Sequence, residues 1–335
     1  MPLVTMKQVL DEAEKKAYGV GAFNVNNMEQ IQAIMAAAKE TKSPVIIQAS
    51  RGALKYSNMI YLKKLMEAAV IENPEIPVVL HLDHGNSLKT CQEAIALGFT
   101  SVMIDGSLLE DGKTASEYGY NRDVTASVVE FAHKQGVTVE GEIGTLGGIE
   151  DGVGSGKIHL TEPDQAEKFC KETGLDALAL AIGTSHGAYK FKAEPKLAMD
   201  IITDVKRRVP NIRLVMHGSS SVPKELVDLV NKYGGKMPNA KGVPIVQIQE
   251  GIRRGIRKIN VDTDGRLAIT AAIRKVFAET PEKFDPRDYL APAREALKAV
   301  VASKMKDFGQ ASHAGDYTPM TLEEMKKTYG AKKAC

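Results

Sequence analysis

The sequence predicts an α/β fold, a closed barrel of eight parallel strands in which each strand is followed by a helix. Three observations lead to this prediction. Short runs rich in β-branched residues alternate with longer stretches of helical spacing. Eight such units fit into 335 residues, a length that suits one large barrel. An open doubly wound sheet usually has a glycine fingerprint after its first strand, whereas this chain continues there with Phe23-Asn24-Val25-Asn26. The expected fold is therefore a (β/α)8 TIM barrel.

The predicted elements follow one another in a repeat that implies parallel pairing and right-handed crossovers. The eight strands are expected at residues 19–25, 45–49, 78–82, 101–104, 138–143, 177–182, 213–216 and 258–261. Helical spacing marks the segments between them, among them residues 29–40, 59–72, 88–97, 124–135, 164–173 and 194–209. Each strand should thus lie inside a ring of helices, with its loops at the two ends of the barrel.

Three further segments lie outside the repeat. Residues 5–17 are expected to form a helix across the bottom of the barrel, residues 234–255 an insertion that ends in a short helix, and residues 286–327 a mostly helical C-terminal extension. No low-complexity linker divides the chain. We therefore predict one domain over residues 1–335, with the barrel at about 19–280.

The composition argues against several classes of protein. Lys and Arg total 44 against 42 Asp and Glu, and this near balance differs from the basic stripe of a nucleic-acid protein. No apolar run approaches the roughly 20 residues of a membrane helix, and no signal peptide is apparent. Cys91, Cys170 and Cys335 lie far apart, so a disulfide framework is not expected. These features favour a cytoplasmic enzyme that acts on a small molecule.

Polar residues collect where the predicted strands end. In this fold, catalytic residues come from the carboxyl ends of the strands and from the loops that follow them. In chain order, the polar strand ends are Asn24, Gln48 to Ser50, His81 to Gly85, Asp105, Glu140 to Glu142, Gly183 to Gly187, His217 to Ser220 and Asn260 to Asp264. A scatter over both ends of the barrel would be expected by chance. The clustering predicts an active site at the carboxyl end.

Three histidines in this set, His84, His186 and His217, end strands three, six and seven. Three imidazoles with one open coordination position are the usual arrangement for catalytic zinc. A lone histidine at a strand end is as often structural as functional. Three of them on one face of a barrel favour a metal site.

The neighbouring acids leave more than one interpretation open. Strand alternation places His81 on the same face as Asp83, so His81 is either a partner that supports the ligands or an alternative ligand. Asp105 and Glu142 end the adjacent strands four and five. They could hold a second metal position or orient the histidines. The residues alone do not decide between these roles.

The loops after strands seven and eight have the composition of a phosphate site. Barrels commonly bind phosphate there through backbone N–H groups and short hydroxyl side chains. Ser220 and Thr263 can donate from this position. Glycine next to serine is also ordinary turn chemistry, which is the alternative interpretation.

The segment after strand five is rich in glycine, from Gly144 to Gly156. Such density disfavours helix and strand and is typical of a loop that opens and closes. A carboxylate on this loop could reach bound substrate, which makes Glu150 a candidate proton-transfer base and Asp151 the less favoured neighbour. A solvated loop without chemistry is the competing interpretation.

Four motifs carry a resemblance to a known family. They are H-L-D-H-G at 81–85, G-T-S-H-G-A-Y-K at 183–190, M-H-G-S-S-S at 216–221 and N-V-D-T-D at 260–264. Together with the T-L-G-G loop they resemble class II (metal-dependent) fructose-1,6-bisphosphate aldolases, over essentially the whole chain. The resemblance implies reversible cleavage of fructose 1,6-bisphosphate to dihydroxyacetone phosphate and glyceraldehyde 3-phosphate through a zinc-stabilised enediolate, in glycolysis or gluconeogenesis.

The resemblance also implies roles for individual residues. The catalytic zinc would be held by His84, His186 and His217. Asp83 matches the catalytic aspartate and Glu150 the loop carboxylate, while Asp105 and Glu142 match ligands of a second or alternative metal site. The cofactors implied are Zn²⁺, with room in the pattern for a second divalent ion and a monovalent cation (Na⁺ or K⁺).

The substrate contacts implied by the resemblance fall into three groups. Those on the dihydroxyacetone phosphate half are Gly187, Lys190, Gly218, Ser219, Ser220, Asn260, Val261, Asp262 and Thr263. Asn24 and Ser50 match positions near the other half of the sugar phosphate. Arg266, Asp285 and Arg287 resemble positions that reach the far phosphate, either in this chain or in a neighbouring subunit of a homodimer or homotetramer.

Three alternative functions remain. A Schiff-base aldolase needs a desolvated lysine at an inward strand position, and Lys258 is expected to open strand eight. A metal-dependent hydrolase barrel commonly needs His-x-His after strand one, where this chain has Phe23-Asn24-Val25. Tagatose-1,6-bisphosphate aldolase differs only in the stereochemistry at C4. The chain length and the segment at 284–289 favour the fructose substrate, although first principles do not decide it.

Overall fold

Eight parallel strands close into a barrel in the part of the chain that the computed structural model describes, residues 3–148, 158–191 and 196–333. Each strand pairs with the next one in sequence, and the first pairs with the last. The strands are β1 (Val20–Asn24), β2 (Val45–Ser50), β3 (Val78–Gly85), β4 (Ser101–Ile104), β5 (Thr138–Ile143), β6 (Ala177–Leu180), β7 (Arg213–Met216) and β8 (Ile256–Val261). The predicted (β/α)8 barrel is confirmed.

The helices surround the barrel in the expected order. They are α1 (Met6–Lys16), α2 (Met28–Thr41), α3 (Arg51–Ser57), α4 (Met59–Glu72), α5 (Leu88–Ala96), α6 (Tyr118–His133), α7 (Pro163–Thr173), α8 (Met199–Arg208), α9 (Lys224–Lys232), α10 (Ile245–Arg254), α11 (Thr263–Glu279), α12 (Pro286–Asp307) and α13 (Leu322–Lys333). A short 3₁₀ helix covers Ala314–Asp316. The predicted insertion ends in α10, and the C-terminal extension is largely α12 and α13.

The start of β8 differs from the prediction. The strand begins at Ile256, so Lys258 lies inside it and does not open it. The start of the strand is hard to recognise in the sequence, because the two consecutive cations Arg257 and Lys258 are typical of an exposed segment. Both are buried because each has a carboxylate partner: Arg257 pairs with Glu14 at 2.9 Å and Lys258 with Glu140 at 2.9 Å.

Helix α1 closes the amino end of the barrel, as predicted. Thr5 caps it by accepting a hydrogen bond from the backbone N–H of Gln8. Its apolar face, with Met6 and Leu10 fully buried, packs on inward-facing strand residues that are themselves apolar: Val20, Ala22, Ile46, Val79, Ala177, Ala179 and Val215. This apolar plug leaves the carboxyl ends of the strands as the accessible end of the barrel.

Helix α12 belongs to the main hydrophobic core. Leu297, Val301 and Met305 are buried in the same cluster as the outward faces of the strands, and the helix contacts α2 and α11. Lys304 also forms a buried ion pair with Asp264 at 3.0 Å, near the end of β8. The extension is therefore packed as tightly as the barrel helices, while the one-domain organisation of residues 1–335 stays a prediction.

Two smaller features complete the description. Among the described helices, none combines the length and the apolar character needed to cross a membrane. Cys91 and Cys170 are buried and unpaired, as expected, and burial raises the pKa of each thiol to about 12. Cys335 lies outside the described residues.

Replacing Leu297 by alanine tests whether α12 is part of the cooperative fold. The side chain is 3% exposed within the core, so its truncation should cost about 2–5 kcal/mol of the free energy of unfolding. The measurement is thermal or urea unfolding, with Glu295→Ala as the control because that side chain is 65% exposed. Equal melting temperatures for the two variants would contradict this packing role.

Candidate metal centre and active site

A bulge in β3 brings two consecutive side chains into one pocket. The β3–β4 register shifts between Leu82 and Gly85, and His84 adopts a left-handed backbone conformation with φ of 50°. Strict alternation would turn either Asp83 or His84 away, whereas an extra residue in a strand re-aims its neighbours. Gly85 is required here because a Cβ would lie 2.7 Å from the Met103 carbonyl oxygen. Both polar residues of H-L-D-H-G therefore face the open end of the barrel.

The structure brings His84, His186 and His217 together. One ring nitrogen of each lies within 4.8 Å of the others, and all three side chains are buried. Their rings meet edge to face, with centroids 4.9 to 6.3 Å apart. They come from β3 and from the loops after β6 and β7, as the positions in the sequence predict.

Two acids set which nitrogens face the centre. Nδ1 of His84 lies 2.9 Å from Asp105, and Nε2 of His217 lies 2.7 Å from Glu140. If each of these nitrogens donates to its carboxylate, the remaining nitrogens, Nε2 of His84 and Nδ1 of His217, are lone-pair acceptors. These two atoms are 3.2 Å apart. Ligands at zinc–nitrogen distances of about 2.0–2.1 Å in a tetrahedral site are about 3.3 Å apart, so the spacing fits a metal ion.

The electrostatics of the pocket also favour a cation. Burial by itself lowers the pKa of His84, but Asp83 and Asp105 outweigh it and raise that pKa to about 10. For His186, burial together with His84 and His217 lowers the pKa well below its ordinary value. Nδ1 of His186 is buried and has no hydrogen-bond partner among the described residues. A metal ion would satisfy this nitrogen.

A second group of possible ligands shares His84 and adds Asp105 and Glu142. Burial and the adjacent Asp105 raise the pKa of Glu142 well above its ordinary value, and its Oε2 lacks a hydrogen-bond partner in the described structure. A divalent ion would compensate these two carboxylates. The 2.9 Å contact between Asp105 and His84 also fits an orienting role, so both interpretations of this pair remain.

Asp83 is held by three side-chain amides. It accepts hydrogen bonds from Asn24 at 2.9 Å, from Gln48 at 3.2 Å and from Asn260 at 3.3 Å. Burial acts to raise the pKa of Asp83, but His84, His217 and Lys258 together outweigh it and hold that pKa below its ordinary value. The result is an ionised carboxylate in a fixed orientation beside the three imidazoles.

His81 lies in the barrel interior and outside both ligand groups. Its Nδ1 is 2.8 Å from the Ser101 hydroxyl, and its Nε2 is 3.4 Å from Glu140. Burial and the charge of Lys258 lower the pKa of His81 to about 3. Of the two roles left open by the sequence, this position fits support of the site.

A single pocket above the histidines collects most of the predicted substrate residues. Its lining consists of Asn24, Ser50, Arg51, Gly52, Asp83, His84, His186, Lys190, Gly218, Ser219, Ser220, Asn260 and Asp262. His217, Asp105 and Glu142 are buried next to these residues. Val261 packs its side chain into the hydrophobic core, so its main chain alone could contact a ligand. Glu150 and Asp151 lie outside the described residues.

Besides Val261, five predicted substrate residues do not line this pocket. Gly187 and Thr263 are adjacent in sequence to lining residues or ligands, but Asp285 and Arg287 are at the start of α12 and bond to each other. Arg266 forms a two-point ion pair with Asp262. Within one chain, therefore, the arginines predicted to reach a far phosphate are engaged with nearby acids.

The end of the pocket that the sequence predicts to bind phosphate is built from the loop after β7 and the start of α11. Gly218 has a φ of 62°, and a Cβ there would lie 2.7 Å from the Ser185 carbonyl oxygen, so tight loop packing itself requires this glycine. The Ser220 hydroxyl accepts from the backbone N–H of Asp262 at 3.2 Å. The N-terminus of α11 lies here, and helix N-termini favour anions.

Sequence reasoning missed the roles of Arg51, which lines this pocket, and of Asp264, which is buried beside it. Arg51 donates from Nε to the His84 carbonyl at 3.1 Å, and its position directly after Ser50 was the available signal. Asp264, the last residue of N-V-D-T-D, accepts from the backbone N–H groups of Ser221 and Val222 at 2.9 and 2.7 Å. It thereby ties the loop after β7 to α11.

Comparison with known proteins decides the family. The family model for class-II fructose-bisphosphate aldolase matches residues 4–313. The chain belongs to the class-II fructose-bisphosphate aldolase family. It is 58% identical over 331 residues to the fructose-bisphosphate aldolase of Giardia intestinalis, covering 98% of this chain and 100% of that protein. It is 52% identical over 346 residues to that of Xanthobacter flavus, covering 99% and 98%.

A solved aldolase has the same fold. The crystal structure of the YdjI aldolase from Escherichia coli K12 superposes with a TM-score of 0.75 at 29% identity, covering 93% of this chain and 100% of that chain. The predicted resemblance to class II aldolases is thus confirmed. This chain is a lyase of a metal-dependent aldolase family, and the two ligand groups are its candidate metal sites.

Replacing His186 by alanine should weaken the binding of a divalent metal ion, for which zinc is the probe. The variant loses a buried nitrogen donor, so the dissociation constant for zinc should rise by more than about 100-fold. Loss of a residue that only orients a ligand raises it by at most about 100-fold. Competition with a chromogenic chelator measures it. His313→Ala is the matched control, because His313 bonds to Asp316 and stacks on Tyr18, away from the three histidines. Unchanged zinc affinity in His186→Ala would contradict the ligand assignment.

Proposed function

We propose that this class II aldolase cleaves fructose 1,6-bisphosphate reversibly to dihydroxyacetone phosphate and glyceraldehyde 3-phosphate, a step of glycolysis and gluconeogenesis. The observation that carries the proposal is the bulge of β3, which places Asp83 and His84 side by side at a centre of three imidazoles. An ionised carboxylate next to a metal position is what cleavage of a carbon–carbon bond beside a carbonyl requires.

His84, His186 and His217 are the proposed ligands of a catalytic zinc ion. The chemistry that zinc supplies when bound is Lewis-acid polarisation of the carbonyl next to the bond to be cleaved. Asp105 and Glu142 are proposed for a second or alternative divalent ion. The main chain at Gly187 and Gly218 is proposed for a monovalent cation, Na⁺ or K⁺.

Asp83 is the proposed acid and base for the C4 hydroxyl. In cleavage its carboxylate accepts the hydroxyl proton, and in condensation it returns that proton to the aldehyde oxygen. The amides of Asn24, Gln48 and Asn260 fix the carboxylate by donating hydrogen bonds to it. They do not protonate it, because an amide N–H is a very weak acid. This orientation keeps the base in reach of one hydroxyl of the substrate.

The two halves of the substrate are proposed to lie at opposite sides of the pocket. The dihydroxyacetone phosphate half is assigned to Gly187, Lys190, Gly218, Ser219, Ser220, Asn260, Val261, Asp262 and Thr263. Lys190 is buried beside them and donates to the Ser185 carbonyl at 2.6 Å, which brings a cation to this end. Asn24, Ser50 and the half-buried Arg51 are proposed to face the aldehyde half.

Glu150 is proposed to exchange the C1 proton of the enediolate. It lies outside the described residues, but the described start of its loop is anchored at the site. Thr145 and His159 exchange backbone hydrogen bonds, and the Gly147 carbonyl accepts from the N–H of the metal-ligand candidate His186 at 2.9 Å. A loop attached in this way can deliver a carboxylate to a bound substrate.

We also propose a homodimer or homotetramer in the cytoplasm. Tyr56, Ile60 and Tyr61 are 79%, 65% and 73% exposed on α3 and α4, an apolar group of the kind that subunit contacts cover. Arg266, Asp285 and Arg287 do not line the pocket of their own chain. A neighbouring subunit is the proposed route by which Asp285 and Arg287 reach the far phosphate.

The competing activities fit the site less well. Lys258 points into the barrel but is fully buried and paired with Glu140 and Asn260, which leaves no access for a substrate carbonyl. A hydrolase would have no use for the phosphate-type loops on either side of the metal position. Tagatose 1,6-bisphosphate remains the alternative substrate, because the orientation of one hydroxyl depends on the placement of Asp83.

An assay with both sugars tests the proposed function. The purified protein should cleave fructose 1,6-bisphosphate in preference to tagatose 1,6-bisphosphate. Exhaustive chelation should abolish cleavage and added zinc should restore it, because the three imidazoles are the proposed seat of the Lewis acid. Activity that survives chelation, or covalent trapping of substrate by borohydride, would overturn the metal mechanism.

Replacing Asp83 by alanine should separate proton transfer from metal binding. Loss of a general acid and base lowers kcat by about 10²- to 10⁴-fold, whereas the three histidines remain in place. Cleavage rate and zinc content are measured on the same preparation, with the exposed Asp111→Ala as control. If the variant loses its zinc, Asp83 has a structural role and not the catalytic one.

A further inference from the structure

The barrel interior contains a charged pair below the candidate metal centre. Lys258 and Glu140 are both fully enclosed, with Nζ of Lys258 2.9 Å from Oε2 of Glu140. Removing two ions from water costs several kcal/mol for each, and aliphatic side chains fill most barrels of this kind without that cost. None of the chemistry described above uses this pair directly. A charged pair in this core position therefore calls for a function.

The two oxygens of Glu140 serve different partners. While Oε2 faces Lys258, Oε1 lies 2.7 Å from Nε2 of His217. A carboxylate in this position accepts a hydrogen bond from one nitrogen of a histidine ligand, which fixes the ring and leaves the lone pair on its other nitrogen. The charge of Lys258 compensates that carboxylate in a region from which water is excluded. Lys258 thus acts on His217 through one intervening side chain.

Lys258 makes a second contact that leads to the proposed base. Its Nζ donates to Oδ1 of Asn260 at 2.8 Å. Because Oδ1 accepts from the ammonium group, the Nδ2 group of Asn260 must face the other way. There it lies 3.3 Å from Oδ1 of Asp83 and 3.2 Å from Nδ1 of His217. The ammonium group therefore decides the orientation of the amide that contacts Asp83.

We infer that Lys258 is a positioning residue that holds two parts of the active site at once, His217 through Glu140 and Asp83 through Asn260. It touches neither of these two residues itself, and it has no exposure to the pocket. The Asp83 half of the inference rests on the proposed function. The His217 half rests only on the proposed metal ligands and not on the reaction, because it is measured by metal affinity alone.

Metal affinity of the apo protein tests the first half. Lys258→Met and Glu140→Gln should each raise the dissociation constant for zinc by about 10- to 100-fold, and should alter the absorption spectrum of the cobalt(II) form. Both substitutions act through the ring of His217. The double variant should therefore lose no more zinc affinity than the single variant with the larger loss. Wild-type affinity in Lys258→Met, or losses that multiply in the double variant, would overturn the inference.

The fold of these variants is controlled in two ways. Lys258→Met leaves Glu140 buried without a counter-charge, whereas the double variant removes both charges and gives the same readout if the single variant is unstable. Asp176→Asn is the matched control at the opposite end of the barrel. Buried Asp176 accepts from His133 at 2.9 Å and Tyr329 at 3.0 Å, so this variant should melt earlier and bind zinc like wild type.

Turnover at saturating zinc tests the second half. Lys258→Met should lower kcat for cleavage by about 10- to 100-fold, because a misplaced amide displaces the base. In an Asn260→Ala background the same substitution should cause a smaller loss, because only the effect through Glu140 and His217 remains. An equal loss in both backgrounds would show that Lys258 does not act through Asn260. If wild-type protein bound zinc but cleaved neither sugar, the proposed function would fail while the result for His217 still stood.

Discussion

Closure of the sheet by pairing of β1 with β8 is the constraint on which the site depends. The parallel order of the strands directs every carboxyl end to one rim, and closure brings the ends of β3 and β7 across a shared interior. His84 and His217 are separated by 133 residues, yet two of their ring nitrogens are 3.2 Å apart. An open sheet would leave these strands several neighbours apart, at about 4.8 Å for each step. The candidate metal position therefore depends on closure of the barrel.

Burial of polar groups in the barrel interior costs desolvation free energy, which apolar packing at the amino end helps to offset. Helix α1 seals the amino end with Met6 and Leu10, and the strand faces above it are aliphatic. Next to this aliphatic cluster, Glu140, Lys258 and His81 replace hydrocarbon in the interior. Each of these groups has a charged or hydrogen-bonded neighbour, which is the condition for burying such groups. The barrel interior therefore contains both apolar packing residues and charged or hydrogen-bonded residues that contact the site.

Much of the fold and of the site was predictable from sequence, because both depend on local pattern. Strand bounds at β4, β5 and β7 agree with the prediction. Helix α6, in contrast, begins at Tyr118 and not at 124, because a Tyr-Gly-Tyr start gives weak helical signals. The prediction started β8 at Lys258 and not at Ile256, because Arg257 and Lys258 are typical of an exposed segment. Only the structure shows that acidic side chains pair with them. Patterns of polarity report exposure, and buried ion pairs violate that correspondence.

The sequence by itself determined the barrel, the rim that carries the polar residues, the three histidines and the family. Periodicity and motif are local properties, and one rim follows from the parallel order of the strands. Only the tertiary structure decided which nitrogens of His84 and His217 face the centre, since Asp105 and Glu140 set them from other strands. It also decided that a bulge lets Asp83 and His84 share a pocket. Such contacts join residues far apart in the chain, and no local pattern encodes their distance.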